Sequence, residues 1–176
     1  MTSSPSSTSF DKLDLAVLRL VMEQPRAGVR EYARLLGVAR ATVQSRLDRL
    51  VKDGAIDGWA PPLSPAALGF PVLAFVHVDV AQERFADVPK HLAEIPELIE
   101  AYSVAGEGDI LCRVVARDNV HLEAVIERMI NTPGVVRTRT EIALNHRVAH
   151  RVLPLVGLLE ARAGGTYRPP VTSVEE

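Results

Sequence analysis

The sequence predicts an α+β protein of two small domains, a winged helix-turn-helix followed by a ferredoxin-like unit of order βαββαβ. Three observations predict it. Apolar residues recur at helical spacing in three short segments between residues 11 and 54. From residue 72 onward, β-rich runs alternate with helical ones in the order of a split βαβ unit. Between the two regimes Pro61, Pro62 and Pro65 break any regular element and mark a linker over residues 61–71. With 176 residues, 47% of them hydrophobic, the chain can bury two modest cores.

The first helix is expected over residues 11–23, where Leu13, Val17, Leu18, Leu20 and Val21 fall near helical spacing and Pro25 with Gly28 closes the segment. The second runs through Val29, Tyr32, Ala33, Leu35 and Leu36 to Gly37, which can take the left-handed conformation that ends helices. The third begins near Arg40, places Val43, Leu47, Leu50 and Val51 on one face and stops at Gly54. The three-residue turn Gly37-Val38-Ala39 between the last two helices makes a helix-turn-helix layout. Residues 55–59 then read as a short strand or wing, so the first domain spans 10–60. Residues 1–9, almost entirely Ser, Thr and Pro, have too little apolar surface to fold and read as a disordered leader.

The second domain is expected over 72–145. Residues 72–80 form a continuous β-rich run, and 83–95 are helical in period, with Phe85, Val88, Leu92 and Ile95 apolar and Pro96 as the stop. Strands at 98–104 and 110–115 flank Gly106-Glu107-Gly108-Asp109, a turn by composition, and should pair as a hairpin. A helix at 121–130 and the turn Pro133-Gly134 lead into a last strand at 135–144. Residues 146–176 form a C-terminal arm or tail, apolar and partly helical over 148–159 despite Pro154, with little to bury after residue 164.

Composition removes several function classes. The net charge of -2 announces no nucleic-acid partner, so any basic footprint must be local. The single cysteine, Cys112, cannot close an internal disulfide, and no secretory signal opens the chain, which points to a reducing cytoplasm. Apolar runs fall short of the roughly 20 residues that cross a bilayer, because His77 and Asp79 interrupt even residues 71–80. Neither a cofactor nor a membrane partner is expected.

The local footprint lies at 26–52, where seven basic side chains (Arg26, Arg30, Arg34, Arg40, Arg46, Arg49 and Lys52) face only Glu31 and Asp48. Phosphates can bind such a segment by releasing condensed counterions. With Val43, Leu47 and Leu50 turned inward, the third helix leaves Arg40, Thr42, Gln44, Ser45, Arg46 and Arg49 largely on other faces. With Arg30 these are the expected DNA-contacting side chains: Arg and Gln can bond bidentately to base edges, and Thr and Ser can reach phosphates or bases. The competing reading is a solvated face whose arginines bond Asp48 or Asp53. Wing, Gly37 turn and basic face occur together, which a generic surface helix does not require.

At this point the chain resembles the Lrp/AsnC family of regulators. The likeness covers about residues 10–145. It is carried by Leu13-Asp14, by Leu35-Leu36-Gly37-Val38-Ala39-Arg40-Ala41-Thr42-Val43, and by Arg46-Leu47-Asp48-Arg49-Leu50-Val51-Lys52-Asp53-Gly54-Ala55-Ile56. In the second domain it rests on Val104-Ala105-Gly106-Glu107-Gly108-Asp109 and on Pro133-Gly134-Val135-Val136-Arg137-Thr138-Arg139-Thr140. Two departures stand out. Ala39 replaces the serine that usually caps the recognition helix, so that helix should start later or find another cap. The tail after Asn145 is longer than the family pattern needs.

The resemblance implies a transcription regulator, not an enzyme, that binds an approximately palindromic duplex site as a dimer or higher oligomer and responds to a small molecule, an amino acid above all. It implies dimers formed through the sheets and effector binding near the 106–109 turn. Gly106 and Gly108 let backbone amides approach a ligand carboxylate, Glu107 or Asp109 could hold an α-ammonium, and Ser103, Thr138 and Thr140 are candidate neighbours. A plain hairpin turn would use the same residue types. A four-stranded sheet with both helices on one face leaves the other needing cover, and the apolar run 72–80 implies a face that is not wet, covered most simply by a second subunit.

Two further classes are weighed. Some relatives of this architecture resemble sirohaem decarboxylases, and His146 with His150 sits at metal-ligand helical spacing, although no third ligand lies near in sequence. An assembly protein would keep the sheet domain and lose the basic helix face. The outward arginines favour the regulator over both.

Overall fold

The computed structural model describes residues 9–106 and 108–169. The chain divides into two compact units, one joining the segment up to Ala60 to the segment from Ala149, the other spanning Pro61–Val148. Except for Ser9, the expected leader lies outside the described residues.

In the first unit α1 (Lys12–Glu23) starts where a reciprocal cap forms. The Asp11 carboxylate accepts the Asp14 N–H at 2.8 Å, and the Asp14 carboxylate accepts the Asp11 N–H at 3.0 Å, so two orphaned donors are satisfied. The second helix, α2 (Val29–Leu36), ends on Gly37, whose φ of 63° is the left-handed conformation expected of it. The recognition helix α3 (Arg40–Lys52) starts at Arg40 with no side-chain cap at Ala39. The helix does not start later as expected, and among the described residues no substitute side-chain cap is present. Packing holds the helix instead: Val43, Leu47 and Leu50 are buried with Val17, Tyr32, Leu36 and Ile56. Each such side chain contributes about 1.5–3 kcal/mol by leaving water. Residues 55–59, expected as a short strand or wing, are bends and irregular chain with no strand, and Ile56 closes the core without a β-ladder.

Of the short helix or arm expected here, the structure has the helix, α6 (Leu153–Arg162), with Pro154 in the first turn, where the missing N–H costs no hydrogen bond. It packs on α1 through buried Val156 and Glu160. Arg19 meets the Glu160 carboxylate twice, Nε to Oε1 at 3.0 Å and the terminal nitrogen to Oε2. Lys12 Nζ donates to the Gly164 carbonyl at 3.0 Å, and Tyr167 packs against the core, where sequence promised little to bury.

In the second unit β1 (Val72–Val80), α4 (Val88–Leu92), β2 (Leu98–Ser103), β3 (Ile110–Ala116), α5 (Asn119–Ile130) and β4 (Val135–Ile142) follow the expected order. The antiparallel sheet runs β2-β3-β1-β4, and β2 and β3 pair as the expected hairpin. The helix expected over 83–95 is shorter: a 3-10 turn at Gln82–Arg84 precedes a five-residue α4. Pro89 is the reason, since it has no N–H to continue a helix from residue 85 and fits only a first turn. One sheet face buries Ala74, Val76, Val78, Ile110, Cys112 and Val114 with Val88, Leu92, Leu122, Val125 and Met129.

The other face is not the dry apolar surface the run 72–80 implied. Cross-strand register puts Phe75, His77 and Asp79 beside Glu141, Arg139 and Arg137, because alternate positions of β1 point away from the helices. At the start of β2, Glu97 accepts from the Arg128 guanidinium at 2.7 Å and meets His121 Nε2 at 3.1 Å, tying the sheet to α5.

Two outcomes are expected. Glu160→Ala removes the buried carboxylate that ties α6 to Arg19, which keeps Glu23, and should cost about 1–2 kcal/mol in urea unfolding of the full chain, whereas exposed Arg162→Ala should stay within about 0.5 kcal/mol. Burial works to raise the Glu97 carboxyl, but the Arg128 hydrogen bond and charge, with the His121 bond, hold it below its ordinary value of 4.5. A depressed acid stabilises the fold fully above its unfolded value and loses that contribution as pH falls through the lowered one. Glu97→Gln should therefore flatten the loss of stability below pH 4.5. Matching acid limbs in the variant and wild type would count against this ion pair.

Candidate nucleic-acid interface and effector turn

Three turns of α3 present an outward stripe. Arg40, Ala41, Gln44, Ser45 and Asp48 are exposed, spaced by three and four so that they share one face. Gln44 Nε2 donates to Asp48 Oδ1 at 2.8 Å, which orients the amide along the helix. Thr42 is half-buried beside this stripe, and Arg30 is exposed at the start of α2.

Arg46 and Arg49, expected in the same group, are engaged elsewhere. Arg46 donates to Asp14 Oδ1 at 2.9 Å and to the Asp11 carboxylate, and Arg49 pairs with Asp14 Oδ2. Their partners are thus the capping carboxylates of α1, not the Asp48 or Asp53 that sequence offered. Burial works to raise the Asp11 carboxyl, yet the Asp14 amide and the Arg46 guanidinium hold it below the usual range. Hydrogen bonds to Asp11 and Asp14 raise the Arg46 guanidinium. Sequence marked Asp14 only as the opening of a helix, because its arginine partners lie more than thirty positions away. Arg34 is also occupied, bonded to Glu31 at 2.8 and 2.6 Å.

In the second unit the structure brings together only part of the expected effector group. Gly108, with φ of 78°, lies over His77 and Asp79 on the open sheet face. A polar recess of about 110 Å³ opens there, lined by His77, Asp79, Gly108, Arg137 and Arg139. Arg137 Nε donates to Asp79 Oδ2 at 2.9 Å. Gly106 stands in open space, and Glu107 lies outside the described residues. Asp109 has a structural duty, its Oδ2 accepting the Val80 N–H at 2.8 Å beside the β1 irregularity. Thr138 and Thr140 pair with Val78 and Val76 and so point to the helix side of β4, away from the recess; Ser103 is exposed on edge strand β2. Sequence reasoning missed His77, Asp79, Arg137 and Arg139. Their alternation along two strands was visible, but the register that joins them was not.

The other candidates separate. His146 and His150 precede α6 in irregular chain, so the helical spacing that would align them does not exist. Among the described residues no group of three His, Cys, Asp or Glu could hold a metal ion, and no helix is long and apolar enough to cross a membrane. Cys112 is buried in the sheet core as expected, and burial pushes its thiol up to about 11, so it stays protonated at neutral pH.

A helix-turn-helix with an outward polar stripe, carried on one chain with a βαββαβ unit, defines a two-domain regulator of transcription. Residues 10–51 match the AsnC-type helix-turn-helix domain and residues 73–153 the Lrp/AsnC ligand binding domain. An HTH-type transcriptional regulator of Pyrococcus horikoshii is 35% identical over 134 residues, 76% of this chain and 85% of that one. The structure of Escherichia coli AsnC matches with a TM-score of 0.76 at 26% identity, over 82% of this chain and 99% of that one. A feast or famine regulatory protein from Mycobacterium tuberculosis, complexed with L-methionine, matches with a TM-score of 0.74 at 32% identity, over 81% and 97%. The chain belongs to the Lrp/AsnC family of transcriptional regulators.

A Cβ at Gly108 would keep a left-handed φ and sit 3.4 Å from Asp79 Oδ1 and His77 Cβ. Gly108→Ala should therefore lose about 1–2 kcal/mol in thermal unfolding, while Ser103→Ala should change stability by less than about 0.5 kcal/mol.

Proposed function

We infer that the protein binds duplex DNA through the outward stripe of α3 and that an amino acid modulates this binding. The observation that carries the first part is the stripe itself. Arg40, Gln44 and Ser45 stand exposed on a helix whose opposite face is core, with Thr42 beside them and Arg30 exposed on the preceding helix. Arginine and glutamine match guanine and adenine edges in a major groove, and the cations supply phosphate contacts. Two such helices in a dimer read two half-sites, so an approximately palindromic site is expected. The open sheet face, with charges of both signs around Phe75, suits a second copy of the chain. These activities belong in the cytoplasm, with the DNA.

The Lrp/AsnC ligand binding match and the methionine complex of the mycobacterial relative support the second part. This reading puts the site at the 106–109 turn, with Gly106 and Gly108 beside the recess, and leaves out Asp109, bonded to Val80, and Thr138 and Thr140, on the helix side of β4. The recess under Gly108 adds guanidinium and carboxylate groups, the chemistry that pairs with a zwitterionic amino-acid head.

Fluorescence anisotropy with duplex DNA from the chain's own upstream region tests both parts. Salt-sensitive binding that resists competitor DNA is expected, with Arg40→Ala weakening it and at least one amino acid shifting either the affinity or the sedimentation of the complex. Absence of binding to this DNA and to a genomic pool would overturn the DNA reading. A full panel of amino acids that shifts neither quantity would overturn the effector reading.

A further inference from the structure

The recognition helix carries two arginines that the protein itself consumes. Asp14 is 1% exposed in its side chain, and three donors converge on it: the Asp11 N–H, the Arg46 guanidinium and the Arg49 guanidinium. Asp11 gives Arg46 a second carboxylate. The cluster therefore holds two negative and two positive charges and is neutral. A carboxylate removed from water is stable only while its partners stay in place, since an unpaired buried charge is among the costliest defects a fold can carry. A guanidinium that left Asp14 for a DNA phosphate would create that defect.

The geometry points to Asp14 as a positioning residue: it pins Arg46 and Arg49 against α1, withdraws both from the phosphate-binding group and sets the rotation of α3 about its own axis. This rests on the DNA-binding reading above. Arg46 and Arg49 are three residues apart, nearly one helical turn, on the α1-facing edge of α3, so Asp14 grips the helix at two heights. A two-point grip resists rolling. Rolling matters because successive side chains on a helix are about 100° apart, so a roll of that size replaces the outward stripe by its neighbours. With the grip in place, the stripe is Arg40, Gln44 and Ser45. The cations of 26–52 that carry no ion pair among the described residues are Arg26, Arg30, Arg40 and Lys52, and these remain for phosphates.

Two readouts on the full chain test the inference. The first needs no DNA: arginine modification by phenylglyoxal, followed residue by residue by peptide mass spectrometry. Arg46 and Arg49 should react several-fold more slowly than Arg40 in the wild type and approach its rate in Asp14→Asn. Reaction of all three at one rate in the wild type would overturn the pin even if the protein bound no DNA, so the two readings fail separately.

The second readout is the slope of log affinity against log salt for a random-sequence duplex. Each lost phosphate contact lowers that slope by about 0.9. Arg40→Ala should lower it by that amount and Arg49→Ala should leave it unchanged, while Asp14→Asn, which frees a guanidinium, should steepen it and narrow the gap between specific and random DNA. Equal slope losses for Arg49→Ala and Arg40→Ala would overturn the proposal. Should Asp14→Asn fail to fold, the comparison of the two arginine variants still decides it.

Discussion

A carboxylate with no access to water governs the DNA-binding unit. Asp14 lies at the third position of α1, where it completes a helix cap, and its remaining lone pairs reach across to α3. Apolar packing of Val17, Tyr32, Val43, Leu47 and Leu50 supplies the bulk of the stabilisation, but such packing is non-directional. The ion pairs supply direction. The Asp14 end of these pairs is withdrawn from water while Arg46 and Arg49 stay partly exposed, so it is the loss of the carboxylate's partners that is costly.

The other side of α1 is held in a similar way. Arg19 meets Glu160 of α6, buried but for 6% of its side chain, and Val156 packs beside it. The first and last described helices of the chain thus belong to one unit, and the βαββαβ unit is spliced between them. Two covalent connections join the units, one at the proline-rich linker and one at the irregular segment before α6.

In the sheet unit the alternation of strands separates two tasks. One face is valine-rich and packs on α4 and α5. The other collects Asp79, His77, Arg137 and Arg139 around a recess roofed by Gly108. Glycine is required there because the turn needs a left-handed backbone and the sheet lies directly beneath it. Asp109, which composition offered as a ligand group, serves the backbone of Val80 instead.

Local chemistry determined much of this protein from sequence alone. Helical periodicity with Gly37, β-rich runs and turn glycines announced the neighbourhoods of the described helices and strands and the order of the two domains, because each signal arises within a few residues. Motif order also disclosed the family. Helix limits failed where one residue outweighed periodicity, as Pro89 did for α4, and the missing cap at Ala39 failed to delay α3 because core packing overrode it. What only the tertiary structure decided were partnerships across long separations: Arg46 and Arg49 with Asp14, Arg19 with Glu160, Asp79 with Arg137. A charged side chain has no intrinsic preference among the opposite charges in a sequence. The folded backbone chooses for it by bringing one of them within reach and, for Asp14 and Glu160, by removing the water that would otherwise satisfy the carboxylate.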